Sequence, residues 1–247
     1  MAALLMADES FPTAAFQRQL EHARVGRQQP ADVQSSKGVL AFGLGDELAA
    51  IAPMRAPYPW SDLKGYCETA WMWPRDVSPM SLKKHRSHVL ITMMGGKSDP
   101  VGRRLTLMQI TASAARQDGV LGVVWPEGTL VHFPAIFIEM AAAIGSSEAP
   151  PLYLWVDFRL FRNEDGSIGL FTTGLEALGR MEIEIPTSHM EPHELREWVL
   201  RIAYYVLDKG PLLKHGDTIG MTAEQKVRMF HTRSMFDRPG LVIRMEP

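Results

Sequence analysis

Asp157 and Arg159 stand two apart in the run LYLWVDFRLF, residues 152–161. Side chains two apart on an extended strand share a face, so this carboxylate and this guanidinium point the same way. Glu182 and Glu184 repeat the spacing further on, with Arg180 just before them. Carboxylates gathered on one sheet face raise one another's pKa and can do general acid–base work. Interleaved with arginines, they form a cross-strand ion-pair ladder instead. The ladder is the favoured reading, because structural ion pairs are common and perturbed catalytic groups are few. Trp155 lies on the same side of the run. With Asp157, Arg159, Glu182 and His88 it makes up the candidate binding set.

Other groups invite weaker chemical readings. His85 and His88 are three apart and His132 lies far beyond, but Cys67 is the single cysteine and no second close ligand pair appears. A zinc site needs a fuller set, so the expectation is no metal and no cofactor. Gly95-Gly96-Lys97-Ser98 resembles a phosphate loop, but the glycine that pattern needs further upstream is absent. Those residues read as a strand leaving for a helix, with Asp99 opposing any anion there. No Gly-x-Ser-x-Gly, Gly-x-Gly-x-x-Gly or His-Glu-x-x-His occurs. The chain is therefore read as leaning away from an enzyme.

The elements that would position these residues follow from periodicity. The run 152–161 alternates apolar residues with mixed ones and reads as a strand. Asn163-Glu164-Asp165-Gly166 is a hairpin turn, since Asp-Gly accommodates positive φ, and strands follow at 168–173 and 181–185. Earlier strands are expected near 3–6, 38–44, 47–54, 88–94, 120–125 and 130–133, and a last one at 241–245. Helices are expected at 12–24, 99–117, 134–144 and 191–209, and a short one at 223–230 behind the capping box Thr222-Ala223-Glu224-Gln225. In the last long helix Leu195, Trp198, Val199, Ile202, Ala203 and Val206 share one stripe. Residues 25–37 read as a loop. Trp60, Trp71 and Trp73 are expected to fill the space between a sheet and a covering helix, with an aromatic-walled groove as the functional alternative.

This pattern predicts an α+β fold: a mixed, largely antiparallel central sheet with the helices of 101–117 and 193–209 packed on it. It reads as one domain over 1–247, with a subdivision near 145–151 allowed for. A weak similarity of element order between the halves suggests a pseudo-repeat. Composition is that of a globular protein, 46% hydrophobic and 22% charged over 247 residues. A formal net charge of -2 argues against a nucleic-acid binder driven by phosphate neutralisation. No apolar run is long enough to span a membrane, the N-terminus lacks a secretory pattern, and one cysteine suits a reducing compartment. The expected location is the cytoplasm.

Longer strings carry a resemblance. WVDFRLFRNEDGSIGLFTTGLEALGRMEIEIP, GPLLKHGDTIG and SMFDRPG, together with PWSDLKGYCETAWMWP and HRSHVLITMMGG, resemble an uncharacterised bacterial family, domain of unknown function 4261, over residues 38–246. That family brings no activity and no catalytic residue to transfer. Two functional expectations stand side by side. One is a non-catalytic binding protein, an immunity or adaptor protein with a protein partner such as a toxin effector. The other is an enzyme or small-molecule binder with a polar pocket holding His88, Asp157, Arg159 and Glu182. A flat exposed patch favours the first; a concave pocket where those groups converge favours the second.

Overall fold

The structure is a computed structural model that describes all residues except 27, 98, 145–148, 210–213, 220–226 and 247. The fold is α+β with two largely antiparallel sheets, one of seven strands and one of six. The chain divides into two compact units, Met1–Leu154 and Trp155–Pro247. The strands thus sort into two sheets, where the periodicity had suggested one central sheet.

In the first unit the sheet is built around β1 (Ala2–Met6). On one side follow β5 (Ser87–Gly95), β4 (Glu47–Met54), β3 (Val39–Leu44) and β2 (Ala31–Ser36); on the other lie β6 (Val120–Trp125) and β7 (Leu130–His132). All neighbours are antiparallel. Every residue of β1 is buried, which explains why it is a continuous apolar run and not an alternating one. Ala3 and Leu5 pack with Leu63 and Cys67 of helix α2 (Trp60–Glu68) and with Trp73. Alternation sends Ala2, Leu4 and Met6 to the opposite face, where helix α3 (Pro100–Ala114) lies on β1 and β5. Helix α4 (Pro134–Ala143) packs on β6 and α3, and helix α1 (Thr13–His22) on β2 and β3. The long helix near residue 100 therefore belongs to this sheet and not to the one holding 157–162. The three tryptophans largely fill the covering layer: Trp73 is buried against Phe133 and Trp71 stands edge-on to Tyr153.

Two sequence expectations change here. Residues 31–36 form a strand, not a loop; it is polar and exposed on both sides, so no burial period marks it. Leu152–Trp155 forms a single helical turn, α5, and the extended strand starts only at Asp157. Trp155 accordingly leaves the mixed strand face and is buried at 1% exposure.

In the second unit the strands are β8 (Asp157–Arg162), β9 (Ile168–Thr173), β10 (Ile183–Ser188), β11 (Thr218–Ile219), β12 (Val227–Arg233) and β13 (Leu241–Glu246). Their order is β11-β12-β13-β10-β9-β8, antiparallel except for the parallel pair β10–β13. Helix α6 (Pro192–Lys209) lies on β8, β9 and β10. Its buried residues are Leu195, Trp198, Val199, Ile202, Ala203 and Val206, the stripe its spacing predicts. They meet the sheet face that carries Phe158, Leu170, Ile183 and Ile185. Arg180 closes the helix: its Nε and Nη2 donate to the carbonyls of Val206 and Leu207 at 3.0 and 2.9 Å, satisfying two acceptors of the last turn. Val227–Phe230 is strand, where the capping box had suggested helix; the box itself lies outside the described residues.

Candidate functional site

The second face of the six-stranded sheet collects the charged residues. Register places Asp157, Arg159 and Phe161 of β8 opposite Thr173, Phe171 and Gly169 of β9. Phe171 lies opposite Glu184 of β10, and Glu184 lies beside Arg244 of β13. Paired residues share a face, so one surface holds two carboxylates, two arginines and two phenylalanines. The loop 234–240, joining β12 to β13, folds over it and adds Ser234, Phe236 and Arg238.

Both carboxylates lie beneath this layer. Asp157 is 1% exposed, and its Oδ2 accepts from Nε and Nη2 of Arg159 at 2.8 and 2.7 Å. Glu184 is 0% exposed. Its Oε1 accepts from the Ser234 hydroxyl and from Nη2 of Arg238 at 2.9 Å, and its Oε2 accepts from the Met235 N–H at 2.9 Å. Arg244 adds a guanidinium 3.6 Å from Oε2. Burial alone pushes the Glu184 carboxyl up, but the Met235 N–H, the Ser234 hydroxyl and Arg238 outweigh it and hold the pKa below the ordinary glutamate value. Glu184 is thus an ionised acceptor whose lone pairs are already spoken for.

The guanidiniums form the outer layer. Arg159, Arg238 and Arg244 keep about a quarter of their side-chain surface in solvent. Arg238 also donates to the Thr172 carbonyl at 2.7 Å and to Thr173 Oγ1 at 3.3 Å. Its Cζ lies 5.0 Å from the Phe171 ring centre and 5.8 Å from that of Phe236, while Arg159 Cζ lies 5.9 Å from Phe171. These are stacking distances for a cation on an aromatic face. Phe171 and Phe236 are 4.5 Å apart, and Phe161 contacts both at 6.2 and 5.5 Å. Phe161 lies across Gly169, where a Cβ would stand 2.1 Å from the ring, so no larger residue fits beneath it. Met235 and Phe236 are exposed in this outer layer.

The predicted binding residues meet different fates. Asp157 and Arg159 are together, as read. Trp155 is buried in the helical turn before them. Glu182 precedes β10 and does not share the face of Glu184: its Oε1 accepts the N–H groups of Gly174 and Glu176 at 2.7 and 3.0 Å, and its Oε2 the Thr172 hydroxyl at 2.7 Å. It clamps the turn after β9. His88 belongs to the first unit, with Nδ1 2.7 Å from the Ala56 carbonyl and its ring edge-on to Tyr58. Arg238, Phe236 and Arg244 were missed. The usable signal was Glu184 itself, a carboxylate between Ile183 and Ile185 that needs a cation once buried.

Remaining chemical groups in the first unit have structural partners. His85 is buried between the Tyr58 N–H, 2.7 Å from its Nε2, and the Leu82 carbonyl, 2.6 Å from Nδ1; a carbonyl only accepts, so Nδ1 carries the hydrogen. Gly95 and Gly96 both adopt φ of 73°, and Arg103 ties Glu47 to the Gly95 carbonyl. Asp99 caps α3 through the N–H groups of Val101 and Gly102. This is the strand exit read from the sequence. The Cys67 thiol is buried, which pushes its pKa up to about 11 and keeps it protonated at neutral pH. Among the described residues, no three potential ligands gather as a metal set and no helix is long and apolar enough to cross a membrane.

An α+β chain with a layered arginine–phenylalanine face on its second sheet is what the geometry defines. The profile of the family described as Domain of unknown function (DUF4261) matches residues 171–246. The matched residues hold Phe171, Glu184, Phe236, Arg238 and Arg244 and form the last part of the span over which the resemblance was read. No curated protein and no solved structure matches the chain.

Proposed function

We propose that this chain is a non-catalytic binding protein, an immunity or adaptor protein, which holds a cognate protein such as a toxin effector against the arginine–phenylalanine face of its second sheet. The observation that carries the reading is the layering. Carboxylates at 0–1% exposure brace guanidiniums from below, and the outer layer is arginine, phenylalanine and methionine. Those types are enriched in protein interfaces. A guanidinium already fixed by a carboxylate and a ring loses little further freedom on binding.

The same layering weighs against acid–base chemistry. A general base must present a lone pair to substrate, and those of Glu184 are engaged by Ser234, Met235 and Arg238. The enzyme reading needed His88, Asp157, Arg159 and Glu182 as free polar groups of one pocket; Glu182 instead clamps a turn, and His88 Nδ1 is taken by the Ala56 carbonyl.

The test begins by capturing the partner on the tagged chain and identifying it by mass spectrometry. The purified partner is then titrated calorimetrically against parent and Phe236→Ala. Phe236 is exposed, so its loss leaves the fold intact, and affinity is expected to fall at least about tenfold, as for a central interface aromatic. Equal affinity of the two chains for the purified partner overturns the assignment.

A further inference from the structure

The first sheet carries a second, chemically different surface. On the face opposite α3, Leu48 of β4 stands directly across from Met94 of β5, and Val39 and Met54 lie on the same side. These four side chains are 45%, 48%, 37% and 42% exposed. Between them lie Ala41, Ala50, Ala52 and Thr92, so the surface is low in relief, and His88, its Nδ1 held by the Ala56 carbonyl, borders the Met54 end. This face of β3, β4 and β5 carries no Asp, Glu, Lys or Arg. The other face of the same strands, with Leu40, Phe42 and Ile51, is buried. The cover supplied by α2 and Trp73 reaches β1, β6, β7 and Leu90 of β5. A contiguous exposed apolar patch marks an interaction site.

The charges at its two ends say what it fits. Lys37 and Arg55, both exposed, stand where β3 begins and β4 finishes. At the opposite end the β3–β4 turn carries exposed Asp46, and after β5 come Lys97 and Asp99, so acid exceeds base there by one. The patch is neutral in the middle, basic at one end and acidic at the other.

We propose that this face is a self-association surface on which two copies of the chain pack about a two-fold axis running across the strands. Such a rotation reverses strand direction. Each copy's Lys37 and Arg55 then lie over the partner's Asp46 end, and the apolar middle meets itself. A two-fold contact is self-complementary by construction. Here it pairs opposite charges at both ends and leaves no charge buried without a partner. The alanines allow the close face-to-face approach of about 10 Å at which sheets pack. A partner carrying one sign of charge along its length would match only one end.

Sedimentation velocity of the full chain tests this. The parent is expected at twice 27.6 kDa, and Leu48→Lys and Met94→Lys at 27.6 kDa, with the parent's circular dichroism spectrum. Lys37→Glu is expected to weaken the dimer, because it sets acid against acid at both ends. Adding Asp46→Lys to that variant is expected to restore it. A parent that sediments as a monomer at every concentration, a Leu48→Lys chain that remains dimeric, or a charge swap that fails to recover association each overturns the proposal.

Discussion

Glu47 in the first unit and Glu184 in the second are both strand carboxylates taken almost wholly out of water, yet they are held in different ways. Glu47 meets one arginine, Arg103, at 2.9 Å, and that side chain is 38% exposed. Water can reach in beside it if the arginine is lost. Glu184 sits at 0% exposure under two guanidiniums, a hydroxyl and a backbone N–H, three of these four drawn from the loop 234–240. Glu47 fastens β4 to helix α3. Glu184 instead organises a surface, since removing its partners would free the very loop that displays Phe236. The contrast separates an ion pair that stabilises locally from one that holds a binding face in shape.

The sharpest break of that contrast is Arg238→Ala. Stripping a buried carboxylate of its main cation typically costs about 3–5 kcal/mol. Arg244 remains at 3.6 Å, so the lower end is expected, read by urea denaturation. A loss as small as that of an exposed pair would mean that the loop reorganises and lets water in.

Acid should separate the two units almost as strongly. His132 is buried in the first unit, donating from Nε2 to the Leu154 carbonyl at 3.1 Å, and burial holds its pKa down at about 4 against an ordinary 6.5. The folded state therefore binds its proton less readily than the unfolded state. The associated stability is complete above pH 6.5 and drains away as pH falls toward 4. Over that range it amounts to about 3 kcal/mol. Glu184, with its pKa lowered, keeps its contribution down to about pH 4.5 and loses it only below. Hydrogen exchange at pH 7 and pH 5 is expected to show peptides of 120–143 losing protection while those of 168–206 hold theirs. Uniform loss would place the acid-sensitive group elsewhere.

Arg159→Ala comes next. Asp157 is as buried as Glu184, but the pair lies within one strand, and an expected loss of about 2 kcal/mol sits between the exposed and buried cases. Thermal melts decide it, with partner affinity measured beside them. Arg103→Ala is expected to cost least, about 1 kcal/mol, because its pair with Glu47 is partly solvated. Equal losses for Arg103→Ala and Arg238→Ala would remove the distinction between the two glutamates.

How much of this could be read beforehand depended on whether burial left a period in the chain. The stripe of α6 was legible residue by residue because one side of a long helix is buried and the other is not. Asp157 and Arg159 were legible for another reason: residues two apart on a strand share a face, although burial in β8 fades along the strand and does not alternate. Leu152–Trp155 was not: a short, mostly buried segment looks the same as strand or as helical turn. Residues 31–36 were missed for the opposite reason, being exposed on both sides. Glu182 was placed one element too far along, because the alternation of 181–185 begins before the strand does. Arg238 lies in an irregular loop, and only the fold brings it 2.9 Å from Glu184.

The position of β13 bears on how the protein comes to be made. The strand at 241–246 lies between β10 and β12 and supplies the sheet's parallel pairing. Until the ribosome has released it, β10 offers an unpaired edge to its surroundings, with Glu184 still lacking Arg244. The central strand of the first unit also waits, for β5 and β6, but that sheet has all its strands once His132 is made. Synthesis from the N-terminus therefore completes one sheet early and leaves the other open until its last strand arrives. Open edges of this kind recruit foreign strands, so the nascent second unit is the stage at which this protein is most exposed to aggregation and to chaperones.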